Sequence, residues 1–279
     1  MLQQTRVAAV IDHYHEFLKR FPSVDKLAAA REASVLVVWS GLGYYRRARM
    51  LHAAARTVVR ELGGEIPRTV AGLRELPGIG RYTAAAIASI AFGEHAAVVD
   101  GNVERVLQRL TGERLDGEHV WQAAEELLAP RRSGDFNQAL MELGATVCLP
   151  RGPVCLTCPL HKLCATRGEL AAAAKAAPQS KREIRYALDC RDDKVFLVER
   201  PRDASLMPGM WELPEIRSRR ESTPAFTLRH SITVTDFTVR VWRVAARSRV
   251  CGKWVAVERL RQVALTGLAR KILRKAEIL

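Results

Sequence analysis

The chain has 279 residues, of which 48% are hydrophobic, and a formal net charge of +14. This composition indicates a folded globular protein rather than a disordered one, and the length suffices for two ordinary domains. The positive charge favours a polyanionic partner, although many basic proteins are basic only for solubility. No apolar run approaches the ~20 residues that span a bilayer, and the N-terminus lacks signal-peptide features. We therefore expect no membrane association and a cytoplasmic protein, nucleoid-associated if bacterial.

The first two-thirds of the chain have the periodicity of helices. Apolar residues recur at helical spacing in the stretches 1–20, 33–39, 43–62, 81–92, 101–110, 118–129 and 135–148. Short breaks separate these stretches, and Ser23 and Ser133 are predicted helix N-caps. The pattern predicts a mainly α domain over residues 1–168.

The pattern changes in the last third of the chain. Residues 169–184 are mostly small or basic and include a proline, which predicts an interdomain linker. Beyond it, β-branched and aromatic residues alternate in part over 186–190, 195–199 and 226–244, as is typical of strands. A final helix is predicted from about residue 267 to the end. The sequence therefore predicts a smaller α+β domain over 185–279.

Four of the six cysteines lie close together, in the pattern Cys148-x6-Cys155-x2-Cys158-x5-Cys164. Four thiolates at this spacing can surround one metal centre. The unequal spacers suit a loop around a [4Fe–4S] cluster better than the two Cys-x2-Cys pairs of a zinc ribbon. A zinc site and unligated or disulfide-bonded thiols are the alternatives.

A glycine-rich turn, LPGIGRYTA (76–84), joins two predicted helices. Gly78 and Gly80 permit backbone angles that other residues avoid, and they leave amides uncovered at the start of the second helix. Such a helix N-terminus can bind a phosphate without reading base sequence. The alternative is a plain connection between two helices.

Asp100 stands in the segment VVDGNVERV (98–106), between two β-branched residues and a predicted helix. The simple interpretation is a helix N-cap. The functional interpretation is a carboxylate aimed at a cation that develops beside a bound phosphate backbone. The two interpretations are compatible.

Together these motifs resemble the iron–sulfur branch of the helix-hairpin-helix DNA glycosylase superfamily. Two sister families share that architecture, endonuclease III and the MutY adenine DNA glycosylases. The lyase carries a Schiff-base lysine two residues after the second hairpin glycine, where this chain has Tyr82. The segments GLGYY (41–45) and FNQAL (136–140) and the second domain also resemble the MutY family.

The resemblance implies a monomeric enzyme that removes adenine mispaired with 8-oxoguanine or guanine in duplex DNA, after flipping the adenine from the stack. It implies that Asp100 stabilises an oxocarbenium-like sugar and that Tyr82 and Asn102 support this site by hydrogen bonding. Gln4 would wedge into the duplex, Tyr44 would stack beside the lesion and Gln138 would contact the adenine. Backbone and phosphate contacts are expected from Gly78, Gly80, Arg81, Arg151 and Lys162. Without the resemblance, Tyr44 could be a core aromatic and Gln138 a solvated helix residue.

The sequence departs from the family pattern at its start. That pattern reads Ser-Glu-Val/Ile-Met-Leu-Gln-Gln-Thr, whereas this sequence begins Met1-Leu2-Gln3-Gln4-Thr5. The glutamate that protonates the purine would precede Met1, and so would an upstream helix. We expect either that an internal methionine has been taken as the start of the gene, which the intact downstream motifs favour, or that the chain is truncated. As written, the chain is predicted to bind DNA but to excise adenine ~10²–10⁴-fold or more slowly than a complete enzyme.

The last third resembles the Nudix-like lesion-reading domain of the MutY family, through segments 195–201 and 210–214. Residues 217–222 do not offer the glutamate-rich helix of a Nudix hydrolase, so hydrolysis of nucleotide diphosphates is not expected. The place of a Phe-Ser-His loop, which contacts 8-oxoguanine in many relatives, is taken here by Ile232-Thr233-Val234. Thr233 can replace the serine hydroxyl but Val234 cannot replace the histidine, so we expect weaker lesion discrimination or the use of His230 and Ser231 instead. Two alternative hypotheses for the function are an endonuclease III-like lyase and a non-catalytic, cluster-bearing DNA-binding protein.

Overall fold

The computed structural model describes residues 1, 7–170, 180–216, 222–232, 235–246 and 251–279. The chain divides into two compact units: Met1–Arg56 with Ala177–Leu279, and Thr57–Ala176. This division differs from the predicted one, because the first helices share a compact unit with the C-terminal part of the chain. We describe the two units separately.

The helices confirm most of the predicted helical stretches. Within the described residues they are α1 (Val7–Arg20), α2 (Val24–Ala29), α3 (Glu32–Trp39), α4 (Tyr45–Glu61), α5 (Val70–Arg74), α6 (Arg81–Phe92), α7 (Gly101–Thr111), α8 (Gly117–Leu127), α9 (Ser133–Thr146) and α10 (Gly267–Lys275). The sequence pattern missed α2 and α5, because five or six residues are too few to show a helical repeat. No helix in the described part of the chain is long and apolar enough to cross a membrane.

The two predicted N-caps have different outcomes. Ser23 caps α2, and its side chain accepts a hydrogen bond from the Lys26 amide at 3.3 Å. The prediction for Ser133 is wrong, because α9 begins at Ser133 and Arg132 holds the cap position. Ser133 is buried, and its hydroxyl donates instead to the carbonyl of Glu94 at 2.8 Å. A tertiary contact has taken the place of the local one.

The unit Thr57–Ala176 contains the helical hairpin α5–α6 and the helices α7, α8 and α9. Val103, Val106 and Leu107 follow the spacing of one helix face, and all three are buried. They form a core with residues of the preceding segment and of α8 and α9: Ala97, Val120, Ala124, Leu128 and Leu140. This core fixes α7, and therefore the position of Asp100 at its start.

The other unit contains the strands β1 (Ser180–Ala187), β2 (Cys190–Arg191), β3 (Lys194–Glu199), β4 (Trp211–Glu212), β5 (Phe226–Ile232), β6 (Thr235–Trp242) and β7 (Lys253–Ala256). One sheet has the order β1-β6-β5, in which β1 is parallel to β6 and β5 is antiparallel to it. The second has the order β2-β3-β4, with β7 also paired to β3. The single stretch predicted over 226–244 is therefore two antiparallel strands, and the α+β class is confirmed.

The predicted linker needs a correction at its C-terminal end. Residues 171–179 lie outside the described residues, but 180–184 belong to β1. Polar composition suggested a linker, yet the backbone of β1 pairs with β6 along its whole length, from Ser180 opposite Thr235 to Ala187 opposite Trp242. An edge strand tolerates such exposed polar side chains because its backbone pairing does not depend on them.

Two apolar clusters hold this unit together. In the first, α10 buries Leu268, Ile272 and Leu273 against residues of both sheets, such as Val195 and Val239. In the second, residues from α1, α3 and the start of α4 pack together with Met210 and Ala264. The second cluster accounts for the association of the N-terminal helices with the C-terminal part of the chain.

Candidate functional site

Asp100 is the N-cap of α7. Its Oδ1 accepts hydrogen bonds from the amides of Asn102 at 2.9 Å and Val103 at 2.8 Å. Its Oδ2 accepts one from the side-chain amide of Asn102 at 3.1 Å. The N-cap interpretation is thus confirmed, and the same contacts fix a half-buried carboxylate in one orientation at the positive end of a helix.

Tyr82, on the first turn of α6, lies near this carboxylate. Burial raises the pKa of the Tyr82 hydroxyl, and the negative charge of Asp100 raises it further. The hydroxyl therefore stays protonated and lies 3.8 Å from the sulfur of Met141. The structure brings together the three residues predicted for catalysis: Asp100, Tyr82 and Asn102.

Arg105, which the sequence reasoning missed, connects this group to the cysteine loop. Its NH2 donates to Oδ1 of Asn102 and to the carbonyl of Gly144, both at 2.7 Å. Its Nε donates to the carbonyl of Cys148 at 2.8 Å. One guanidinium one turn into α7 therefore joins the side chain that supports Asp100 to the first cysteine of the loop. The Val-Glu-Arg-Val part of the motif was the available signal.

The four cysteines of the loop line one cavity, together with Arg109 and His161. None of the four is in a disulfide. Hydrogen-bond donors point at two of the sulfurs: NH1 of Arg109 lies 3.3 Å from Cys148 Sγ, and the Arg167 amide lies 3.4 Å from Cys164 Sγ. Donors of this kind stabilise thiolate ligands.

Arg109 braces the loop from α7 and is almost fully buried. Besides the sulfur of Cys148, its guanidinium reaches the carbonyls of Leu149 at 2.7 Å and Pro150 at 3.2 Å. Its own carbonyl accepts the amide of Thr166 at 3.1 Å, on the far side of the loop. Both ends of the cysteine segment are therefore tied to the same residue.

The chemistry of these donors fits an iron–sulfur cluster. Within the ranges that the structure describes, no group of three or more His, Cys, Asp or Glu side chains is arranged to hold a metal ion. Four free thiols around one cavity, with cationic and amide donors behind them, are a donor set that fits a cluster bound by four thiolates.

The predicted hairpin lies between α5 and α6. Gly78 has a φ of +79°, in the left-handed region, and Gly80 is the N-cap of α6. Among the described residues no side chain caps this helix, and a helix N-terminus of this kind can bind a phosphate. Leu73 and Leu76 are buried beneath the turn, whereas Ile79 is half-buried.

Arg81 makes its side-chain contacts with α8. Its NH1 lies 2.6 Å from Oε1 of Glu118, its NH2 lies 3.5 Å from Glu125, and its guanidinium stacks 3.9 Å from the ring centroid of Trp121. These partners all belong to α8. In this arrangement Arg81 braces the hairpin against α8.

The FNQAL segment lies on α9. Gln138 is exposed, and its side-chain amide donates to the carbonyl of Gly134 at 3.2 Å. Its buried neighbour Asn137 accepts the Val98 amide at 3.2 Å and donates to the Ala96 carbonyl at 2.8 Å. Asn137 thereby fixes the extended segment that leads into Asp100, a role that the sequence reasoning missed.

The remaining predicted contact residues lie on exposed positions or outside the described residues. Arg151 and Lys162 are exposed on the cysteine loop, and Tyr44 is 53% exposed with a φ of +47°. His230 is half-buried on β5, and burial followed by the charge of Lys271 lowers its pKa. The hydroxyl of Ser231 bonds Asp236 at 2.5 Å. Gln4 and Thr233 lie outside the described residues.

Comparison with known proteins gives a consistent result. Residues 1–130 match the family described as HhH-GPD superfamily base excision DNA repair protein. An adenine DNA glycosylase of Mus musculus is 41% identical over 272 residues, covering 77% of this chain and 52% of its own length. The chain thus spans about half the length of that curated relative.

Two solved structures are similar over the helical part. A thermostable thymine-DNA glycosylase has a TM-score of 0.56 and 32% identity, over 60% of this chain and 79% of its own. An endonuclease III–DNA covalent intermediate has a TM-score of 0.54 and 27% identity, over the same shares of the two chains. These similarities confirm the predicted helix-hairpin-helix glycosylase fold.

Proposed function

Since this chain belongs to the adenine DNA glycosylases of the HhH-GPD base excision repair superfamily, we propose that the protein removes adenine from mispairs with 8-oxoguanine or guanine in duplex DNA. The observation that carries the proposal is the oriented carboxylate of Asp100, flanked by Tyr82 and Asn102 at the start of α7. Tyr82 stands where a lyase of this superfamily would have its lysine, which favours a monofunctional hydrolase over the lyase.

Asp100 acts on the sugar. As the bond from the sugar to adenine breaks, positive charge develops on the sugar ring, and a fixed carboxylate stabilises that charge without having to reorganise. The two amides and the Asn102 side chain hold both oxygens in place for this purpose. The leaving purine needs a proton as well. The resemblance assigns that proton to a glutamate that precedes the Met-Leu-Gln-Gln-Thr segment in the family pattern.

Duplex DNA is the proposed partner, and the hairpin is its main backbone contact. The helix N-terminus that follows Gly78 and Gly80 takes a phosphate, while Arg151 and Lys162 on the cysteine loop reach neighbouring phosphates. Tyr44 stacks beside the lesion, Gln4 wedges into the duplex and Gln138 contacts the flipped adenine. His230, Ser231 and Thr233 are proposed to read 8-oxoguanine, from a domain of Nudix-like type.

The [4Fe–4S] cluster is proposed to be structural. Cys148, Cys155, Cys158 and Cys164 would hold it, and it would cross-link the loop that carries Arg151 and Lys162. Hydrolysis of a glycosidic bond changes no oxidation state, so no step needs the cluster as a redox group. Arg109 and the Arg167 amide hold the loop around the cavity and supply hydrogen bonds to the sulfurs.

Single-turnover release of adenine tests the proposal. We expect the chain to bind a duplex with adenine opposite 8-oxoguanine in preference to an undamaged duplex and to release adenine. Asp100→Asn keeps a good N-cap but removes the charge, so it should lower the rate about 100-fold or more. Asp116→Asn is the matched control, because Asp116 is an N-cap residue whose side chain makes no cap hydrogen bond.

Three outcomes would contradict the proposal. Borohydride trapping of a covalent complex on abasic DNA would indicate a lyase. Equal affinity for the two duplexes, with no release of adenine, would indicate a general DNA-binding protein. Equal release rates in Asp100→Asn and the unchanged chain would remove Asp100 from the chemistry.

A further inference from the structure

The loop that carries Tyr44 is fixed by residues more than two hundred positions later in the chain. Ser40 ends α3, and its hydroxyl donates to the carbonyl of Leu265 at 3.0 Å. The hydroxyl of Tyr45, at the start of α4, reaches the same carbonyl at 3.4 Å. Ser40, Tyr45 and Leu265 are all buried. One carbonyl oxygen therefore holds both ends of the loop 41–44.

Arg270, on the first turn of α10, adds a second contact. Its NH2 donates to the Ser40 hydroxyl at 2.8 Å. Its stem packs at the turn, since a Cβ added to Gly41 would lie 4.0 Å from Arg270 Cδ and 3.4 Å from His13 Nε2. Gly41 has a φ of +111°, so the backbone turns sharply where these side chains meet. Arg270 therefore supports the loop at the point where it leaves α3.

The position of Leu265 is itself fixed by the C-terminal sheet. The Trp211 amide donates to the Ala264 carbonyl, and the Thr266 amide donates to the Trp211 carbonyl, both at 2.9 Å. Thr266 then caps α10 by accepting the Ala269 amide at 3.1 Å. The anchor of the loop is thus part of a rigid strand-to-helix connection, continuous with β4.

The contacts that begin at Leu265 lead to the exposed ring of Tyr44. The indole of Trp39 donates to the Gly43 carbonyl at 3.1 Å, which fixes the residue before Tyr44. Tyr44 adopts a left-handed backbone conformation that is uncommon for a non-glycine residue, with the Arg47 guanidinium 5.0 Å from its ring centroid. A strained, exposed aromatic residue on a fully supported loop is typical of a recognition element.

We propose that Arg270 and the Leu265 carbonyl position the Tyr44 loop, so that the C-terminal part of the chain sets the presentation of the Tyr44 ring to DNA. Arg270 is a positioning residue, acting through Ser40 and the loop rather than by touching the lesion. The inference rests on the proposed function, which assigns Tyr44 to the lesion. Part of the preference for the lesion would then depend on α10, a helix that need not contact the lesion.

Hydrogen–deuterium exchange of the free protein tests the positioning without DNA. In Arg270→Met, amides of residues 40–47 should exchange about 5- to 10-fold faster, as expected when one buried hydrogen bond is lost. Arg274→Met removes the same charge from an exposed position on the same helix and should leave these amides unchanged. Ser40→Ala removes the acceptor of Arg270 and also the bond to the Leu265 carbonyl, so it should raise exchange at least as much as Arg270→Met. Amides of β5 and β6 report whether a variant loosens the whole unit.

A double-mutant cycle with DNA tests the consequence. The quantity measured is the ratio of affinities for a duplex with adenine opposite 8-oxoguanine and for the undamaged duplex. With Tyr44 present, Arg270→Met should lower this ratio about 5- to 10-fold. In the Tyr44→Ala background it should lower the ratio no further, because the effects of residues that act through one another are not additive. Arg274→Met should affect both duplexes equally, since it removes only a charge.

The two experiments test the positioning of the loop and the role of Tyr44 separately. Unchanged exchange at 40–47 in both Arg270→Met and Ser40→Ala overturns the positioning, and so does full additivity with Tyr44→Ala. If exchange rises as expected but Tyr44→Ala leaves the affinity ratio intact, the positioning stands and the role proposed for Tyr44 in lesion binding fails.

Discussion

At the scale of single residues, Arg105 is the side chain with the widest set of partners in the candidate site. It bonds Asn102, Gly144 and Cys148, which lie on α7, on α9 and at the start of the cysteine loop. A guanidinium can do this because its donors form a rigid planar fork. Lysine has one point of charge and cannot reach three acceptors in different directions.

Arg105→Lys should therefore destabilise the protein although it keeps the charge. We expect the free energy of unfolding to fall by about 1–3 kcal/mol, because buried acceptors lose a charged donor. Iron bound per chain should also fall, since Cys148 loses one of its two links to α7. Urea unfolding and iron analysis measure the two effects. Arg131→Lys, at an exposed position, is the control, and equal losses in both variants would contradict the prediction.

The residues of the candidate site were predictable to the extent that their neighbours in sequence define them. Asp100 and the four cysteines stand in short motifs, and their roles follow from spacing and residue type. Arg105, Arg109 and Asn137 escaped because their partners lie about forty positions away. From sequence alone, an arginine in a helix is predicted to be solvated, because the carbonyls to which it donates are not known.

At the scale of elements, the close approach of α7 and α9 brings the parts of the site together. It occurs at Gly144, where an added Cβ would lie 2.6 Å from the Cβ of Asn102 and 2.9 Å from its carbonyl oxygen. Real Cβ atoms do not come so near to backbone, so any side chain here would push the helices apart. Asn102 would move with α7, and the support of Asp100 would move with it.

Gly144→Ala should thus cost stability, although alanine is the better helix former. Overpacking of this kind costs about 1–3 kcal/mol. Gly101→Ala, at the first position of α7, meets nothing within 4 Å. It should gain up to about 1 kcal/mol from helix propensity instead. Thermal unfolding of the two variants gives the comparison, and a stable Gly144→Ala protein would show that the crossing is looser than described.

The elements themselves were largely predictable. Long amphipathic stretches such as α4 and α7 show their period in the sequence, and β-branched runs show β3 and β5. The shortest elements, α5 and β4, carry too few residues for any period. The pairing of β1 with β6 also escaped, because parallel strands far apart in sequence leave no local turn signal between them.

At the scale of the whole molecule, stability should depend on pH through a buried histidine. His52 is 2% exposed, and among the described residues its Nε2 has no hydrogen-bond partner. Burial lowers its pKa below the ordinary value of 6.5, and the charge of Arg56 lowers it further. The unfolded chain therefore binds a proton more readily than the folded one as the pH falls.

The sign follows from this difference. Well above pH 6.5 His52 is neutral in both states and costs nothing. As the pH falls towards and below 6.5, the unfolded state gains a proton first and the free energy of unfolding decreases. His230 acts in the same direction. Urea unfolding at pH 7.5 and pH 5.5 should show the loss, and His52→Gln should reduce it. A protein that became more stable at the lower pH would contradict this assignment.

The association of Met1–Arg56 with Ala177–Leu279 has a consequence for how the protein is made. Residues 57–176 make their unit from one continuous stretch and can fold as they leave the ribosome. The first helices emerge earlier, yet Trp39, Leu42 and Tyr45 bury their surface together with Met210 and Ala264. Until the last third has been translated, this cluster lacks Met210 and Ala264, and the apolar surface that they cover is open to aggregation or chaperones. A premature stop codon in the last third should therefore leave the earliest helices exposed, however complete the glycosylase motifs between them.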